Sequence, residues 1–170
     1  MASRLRMRWL FLLTMAWIAA GCASTQKSML IPYDVYLDVE AEVNPNLQGH
    51  PSPILIGLYE LGSDSQFLDL DFPAVQDRAR VSLGEDLISL DQIILRPGEQ
   101  RVIRRAGNAA ARHLGVVAGY RELGRQPWRL SIPLPGTKST NLYKFWQISP
   151  RRMSIRIEVG RQGLAIRQRH

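Results

Sequence analysis

One cysteine, three histidines and a cluster of aspartates hold most of the metal, redox or catalytic chemistry open to this 170-residue chain. His50, His113 and His170 lie in a loop, a polar stretch and the terminus, and none has a cysteine, a second histidine or a carboxylate at a metal-holding spacing. Asp64, Asp69 and Asp71 suggest a calcium loop, but such a loop alternates oxygen ligands around a central glycine and ends on a distant glutamate. Asp69-Leu70-Asp71-Phe72 lacks that order, so helix caps and a wet strand face are the better reading. No nucleophile elbow, P-loop or dinucleotide fingerprint is present. An enzyme would need its groups dispersed over loops, and none is expected; no metal or small-molecule cofactor is implied.

Cys22 has no partner for an intramolecular disulfide, so its surroundings must explain it. Arg4, Arg6 and Arg8 are followed by an apolar run from Trp9 to Ala20, interrupted only by Thr14, and then by Gly21. A basic start, a short apolar run and a small-residue exit compose a secretory signal, and the run is well short of the ~20 residues that span a bilayer. Ala20-Gly21-Cys22 resembles a lipobox, with Ala19 where leucine is more usual. The bland alternative is a small buried thiol. The lipobox reading makes residues 1–21 a signal peptide, Cys22 the lipidated first residue of the mature chain, and residues 22–32 a tether. Ala23 rather than aspartate after the cysteine implies the outer membrane, on its periplasmic face. Beyond acyl groups on Cys22, no cofactor is expected.

Removing residues 1–21 takes Lys+Arg from 22 to 19 against 15 Asp+Glu, so the net charge falls from +7 to +4. Six of the remaining arginines gather late, at Arg151, Arg152, Arg156, Arg161, Arg167 and Arg169. A basic tail invites nucleic acid as a partner, but no nucleic-acid motif accompanies it and export removes the opportunity. A solvated strand face, or contact with envelope phosphates, fits better.

The elements that must position these residues are short strands. Val35, Leu37, Val39, Ala41 and Val43 alternate with Tyr36, Asp38, Glu40 and Glu42, which predicts a half-buried strand over 33–43. Further strands are predicted at 54–61, 87–95, 101–105, 114–120, 128–134, 153–159 and 164–167, the last pair joined around Gly160 and Gly163. Asp71 before Phe72-Pro73 predicts an N-cap and a short helix over 72–80. Many short strands with little helix indicate a β-sandwich or barrel occupying 33–170.

Function on an all-β scaffold is usually placed on loops. Asn44, Pro45, Asn46, Leu47, Gln48, Gly49, His50 and Pro51, continuing to Pro53, form the longest early loop, and its prolines limit the conformations it samples. Leu47 and His50 are its candidate contact side chains; a rigid crossover between sheets is the competing reading. Alternate loops of a sandwich emerge at one end, so 44–53, 96–99 and 122–127 are expected to share one surface.

Val43-Asn44-Pro45-Asn46, Gly49-His50-Pro51-Ser52-Pro53 and Ile54–Leu61, then Leu83-Gly84-Glu85-Asp86-Leu87, Leu95-Arg96-Pro97-Gly98-Glu99 and Gly115–Arg121 resemble, in order and spacing, the TssJ family of type VI secretion outer-membrane lipoproteins. The resemblance runs from Cys22 to about Leu134. It implies a transthyretin-like two-sheet β-sandwich with a short added helix, and no enzymatic activity. It further implies that the chain anchors the trans-envelope complex by binding the periplasmic domain of the inner-membrane subunit TssM, with the Asn44–Pro53 loop contributing. No nucleic acid and no small-molecule substrate follow from it. The rival readings are a lipoprotein holding an apolar ligand between its sheets, and one binding peptidoglycan or lipopolysaccharide through its arginines.

Overall fold

A computed structural model describes residues 28–124, 126–135, 138–139 and 152–167. The signal peptide, Cys22, the tether up to residue 27, Arg151, Arg169 and His170 lie outside the described residues. In chain order the strands are β1 (Ser28–Met29), β2 (Tyr33–Val39), β3 (Ile54–Leu61), β4 (Leu87–Leu95), β5 (Gln100–Arg105), β6 (His113–Ala118), β7 (Arg129–Pro133), β8 (Lys138–Ser139), β9 (Met153–Gly160) and β10 (Gly163–Ile166). Between β3 and β4 lie three α-helical segments, α1 (Ser65–Asp69), α2 (Phe72–Asp77) and α3 (Ala79–Leu83), and a 3-10 turn (Gly84–Asp86).

The strands form two 4-stranded sheets, ordered β10-β9-β2-β5 and β4-β3-β6-β7, beside a small β1-β8 pair. β2 and β9 run parallel, with Val35 opposite Ile155, and their other neighbours in these sheets run antiparallel. Period-two patterning explains the first sheet: Ile155, Ile157 and Val159 are buried while Arg156 and Glu158 face outward. β3 reads differently, with every residue but Leu55 buried, because both of its faces are covered. Ile54, Ile56 and Leu58 meet Val35, Leu37 and Ile157 of the other sheet. Tyr59 and Leu61 sit instead under Phe67, Val75, Ala79 and Leu83 of the helical layer. The space between the sheets is filled by these side chains.

Asp71 caps α2 as its sequence position predicts, its carboxylate accepting the Ala74 N–H at 3.0 Å. The helix predicted over 72–80 is broken at Arg78, whose φ of −125° is not helical, and it continues as α3. α1 was not foreseen, having only Phe67 as a buried anchor. Gly115 admits that ring, since a Cβ there would lie 2.8 Å from it. Arg129 ties the layer down by donating to the carbonyls of Phe67 and Leu70 at 2.8 and 2.6 Å, and burial lowers its pKa. So the helical part is larger than a single short helix, and Asp64 precedes α1 and Asp69 ends it, where a wet strand face was expected.

The strand predicted over 33–43 ends at Val39. Residues 40–43 turn instead, with the Val43 N–H donating to the Glu40 carbonyl at 3.3 Å, so Ala41 is exposed and Val43 buried. Ser28–Met29 pair with Lys138–Ser139, which begins the folded part inside the segment read as tether. No helix among the described residues is long and apolar enough to cross a membrane.

Candidate protein-docking surface

The strand directions send four connections to one end of the sandwich. The turn after β4 touches the start of the long loop: Val39 N–H donates to Glu99 O at 3.0 Å and Gly98 N–H to Glu40 O at 3.2 Å. On the loop's other flank, Arg121 N–H donates to Asn44 Oδ1 at 2.8 Å. The segments expected to share a surface therefore do, and the long loop lies between the other two. A fourth member, the β9–β10 turn, joins them through Arg161 N–H to Glu40 Oε2 at 2.7 Å and Leu164 N–H to Pro127 O at 2.7 Å. Gly160 and Gly163 marked that turn in the sequence, but nothing there told which end it would reach.

Within the loop, two asparagines do separate work. Asn46 organises the tip, its Oδ1 accepting the N–H groups of Gln48 and His50 at 3.0 and 2.9 Å. Gly49 N–H closes onto Asn46 O at 2.8 Å, and Gly49 takes a φ of +80° that a glycine accepts freely. Asn44 organises the base. It is buried, holds a φ of +48°, and donates from Nδ2 to Pro53 O at 2.8 Å. Pro45 and Asn46 are half-buried, whereas Leu47, Gln48, Gly49, His50 and Pro51 are exposed. Leu47 is 97% exposed, an apolar side chain held in water at the tip of a hydrogen-bonded turn.

The rest of this end carries charges of both signs, Glu40, Glu42, Glu99 and Glu122 among Arg96, Arg121 and Arg161. Glu99 is held below the usual carboxylate range, first by the Arg96 N–H and then by the Arg101 side chain, so the turn keeps its charge. An open cleft of about 680 Å³ between the long loop and the β9–β10 turn is lined by Glu40, Glu42, Glu158 and Arg161. Tyr120 crosses beneath, donating its buried hydroxyl to Gly160 O at 2.9 Å; burial pushes its pKa up, with the Glu40 charge adding to the effect.

Three of the late arginines among the described residues are occupied within the chain. Arg152 pairs with Asp34 at 2.6 Å, Arg167 with Glu158 at 3.3 Å, and the Arg156 guanidinium lies 4.6 Å from the centre of the Tyr36 ring. The sequence pointed to a solvated strand face; the internal pairing of these arginines is added by the structure.

One serine, histidine and aspartate meet elsewhere. Ser131 Oγ donates to Asp64 Oδ2 at 2.6 Å, and His113 Nδ1 lies 3.2 Å from the same carboxylate oxygen and 3.5 Å from Ser131 Oγ. Nucleophilic catalysis needs the serine on one ring nitrogen and the carboxylate on the other. Here both crowd Nδ1, so the trio joins β6, β7 and the approach to α1 rather than activating a nucleophile. No group of three or more metal-ligating side chains occurs among the described residues.

Residues 32–162 match the profile of the family described as type VI secretion lipoprotein, VasD, EvfM, TssJ. No curated protein matches the chain significantly. Its fold is similar to that of the T6SS lipoprotein TssJ1 from Pseudomonas aeruginosa, at 33% identity and a TM-score of 0.71, over 83% of this chain and 98% of that one. Serratia marcescens Lip, a membrane bound component of the type VI secretion system, is also 33% identical, with a TM-score of 0.71 over 84% of this chain and 99% of the other. A chain of the structure described as the T6SS protein TssM C-terminal domain from EAEC shares the fold at 18% identity, with a TM-score of 0.63 over 81% and 98% of the two chains.

Proposed function

The chain belongs to the type VI secretion lipoprotein family, and from that premise we propose that it fastens the trans-envelope secretion complex to the outer membrane. Acyl groups on Cys22 hold it to the periplasmic face, and the loop from Asn44 to Pro51 binds the periplasmic domain of TssM. The observation that carries this reading is Leu47, 97% exposed on a tip fixed by hydrogen bonds and flanked by further loops at the same end. Burying a leucine gains about 1.5–3 kcal/mol, and a tip already ordered loses little entropy on docking. The likeness to Lip and to a chain of the TssM C-terminal domain structure supports a membrane-bound role beside TssM. The Ala20-Gly21-Cys22 sequence supports lipidation, and Ala23 the outer rather than the inner membrane. The work is mechanical, with no catalysis and no cofactor other than the lipid.

Two variants separate the halves of this function. The wild-type chain is expected to carry the TssM periplasmic domain into the outer-membrane fraction. Cys22→Ser, which has no thiolate to acylate, leaves that fraction yet still binds the domain in solution. A chain with residues 47–50 replaced by Gly-Ser stays in the membrane and recruits nothing. Full fatty-acid labelling of Cys22→Ser, or undiminished recruitment by the folded loop variant, overturns the corresponding half.

A further inference from the structure

Asn44 sits in the loop proposed to dock, yet only 4% of it is exposed, so it has almost no surface to offer a partner. Its side chain is instead divided between two segments. The amide nitrogen donates to Pro53 O at 2.8 Å, closing the loop's own base, and the amide oxygen accepts from Arg121 N–H at 2.8 Å, across 77 positions of sequence. Residue 121 belongs to the β6–β7 connection, which is also tied to β3 by Gly119 N–H donating to Leu55 O at 2.8 Å. The backbone at Asn44 is left-handed, a conformation asparagine and glycine tolerate and most residues do not. The tip carries its own hydrogen bonds through Asn46 and does not depend on Asn44.

We propose that Asn44 is a positioning residue that locks the long loop to the β6–β7 connection, so that the partner meets both as one rigid surface. The inference rests on the docking reading above. Without the lock, loop and connection move separately, and the partner must order each on binding. That cost appears as weaker affinity with the contact side chains unchanged. A donor or acceptor left unpaired in the interior adds to the loss.

The test titrates the TssM periplasmic domain against the mature chain, while amide exchange of Arg121 is followed by NMR. Asn44→Gly keeps the left-handed backbone and removes both side-chain bonds. It is expected to free the Arg121 amide, weaken binding about 10-fold and leave the tip amides of Gln48 and His50 protected. Asn44→Asp keeps the acceptor for Arg121 N–H and tolerates the backbone, but it loses the donor to Pro53 O; it is expected to protect the Arg121 amide and to bind more tightly than Asn44→Gly. Leu47→Asp is the control for the docking reading itself. If Leu47→Asp binds normally, that reading fails whatever Asn44 does. If Leu47→Asp weakens binding while Asn44→Gly frees the Arg121 amide and binds normally, the lock alone is overturned. A loss of affinity in Asn44→Gly with the Arg121 amide still protected overturns it too. Should Asn44→Gly not fold, Asn44→Asp decides: a protected Arg121 amide with binding within about 10-fold of wild type supports the lock, and a freed Arg121 amide with wild-type binding rejects it.

Discussion

Two polar, exposed regions stand out in the sequence as candidates to bind something, the Asn44–Pro51 loop and the arginine-rich hairpin of β9 and β10, and the structure treats them oppositely. In the hairpin the described charges are largely answered from inside the chain: Arg167 by Glu158, Arg156 by the Tyr36 ring, and Arg152, just before β9, by Asp34. In the loop, hydrogen bonds fix the backbone while Leu47 at the tip is answered by nothing. A region that satisfies its own groups has little to gain from a partner. One that spends its hydrogen bonds on holding an apolar side chain in water has much to gain, and the proposed docking end rests on this asymmetry rather than on charge density.

The largest effect that tests this contrast falls on Leu47. Leu47→Ala is expected to weaken capture of the TssM domain by about 2 kcal/mol, the scale of a central hot spot, with thermal stability unchanged because the side chain is almost fully exposed. Calorimetric titration beside a melting curve separates the two. A drop in melting temperature without a drop in affinity reverses the assignment.

Tyr120 joins the two regions, since its hydroxyl reaches Gly160 at the end of β9 from the connection beside the loop. Tyr120→Phe leaves the Gly160 carbonyl unpaired and is expected to cost about 1 kcal/mol of folding stability. Burial raises the pKa of Tyr120, of Tyr33 (helped by its hydrogen bond to Glu60), and of Tyr59, which reaches about 12. A phenol whose folded pKa lies above its unfolded value near 10 stabilises the fold fully below pH 10 and loses that contribution as pH climbs toward the folded value. Denaturation midpoints are thus expected to hold steady to about pH 9 and fall beyond 10, less steeply in Tyr120→Phe. A midpoint still flat at pH 11 would mean these hydroxyls are not buried as described.

Much of this was legible before the fold. The run Ile54–Leu61 is found as a strand with those bounds, and Leu87–Leu95 likewise, because each is rich in leucine and isoleucine and is closed by turn residues. The sharing of one end by 44–53, 96–99 and 122–127 followed from strand alternation alone. What escaped is tertiary. Period two continues through Val43, yet the chain turns at Glu40, whose carbonyl and carboxylate take the N–H groups of Gly98 and Arg161 from distant turns. α1 depends on Phe67 finding the gap above Gly115 on β6, a partner invisible along the sequence. Asn44 looked like a contact residue, and only its burial and its bond to Arg121 separate support from contact.

The smallest effect is expected where charge is densest. Arg156 projects from the middle of its sheet, paired in register with Tyr36 over which it stacks, and Arg167 follows the end of β10 beside Glu158. Neither lines the loop end, and both groups already have partners, so a bound protein would have to compete for them. Exposed ion pairs contribute only about 0–1 kcal/mol, and substitutions outside an interface usually stay within about 0.5 kcal/mol. Arg156→Gln together with Arg167→Gln should therefore leave affinity for the TssM domain within about 0.5 kcal/mol of wild type at physiological salt. Long-range attraction to an acidic partner would still register as a slower association rate at low salt, where the Debye length is about 30 Å, and would vanish as salt is raised. A salt-independent loss well above 0.5 kcal/mol would place these arginines in contact with the partner. The docking surface would then extend from the loop end onto the open face of the β10-β9-β2-β5 sheet, and the contrast between the two regions would collapse.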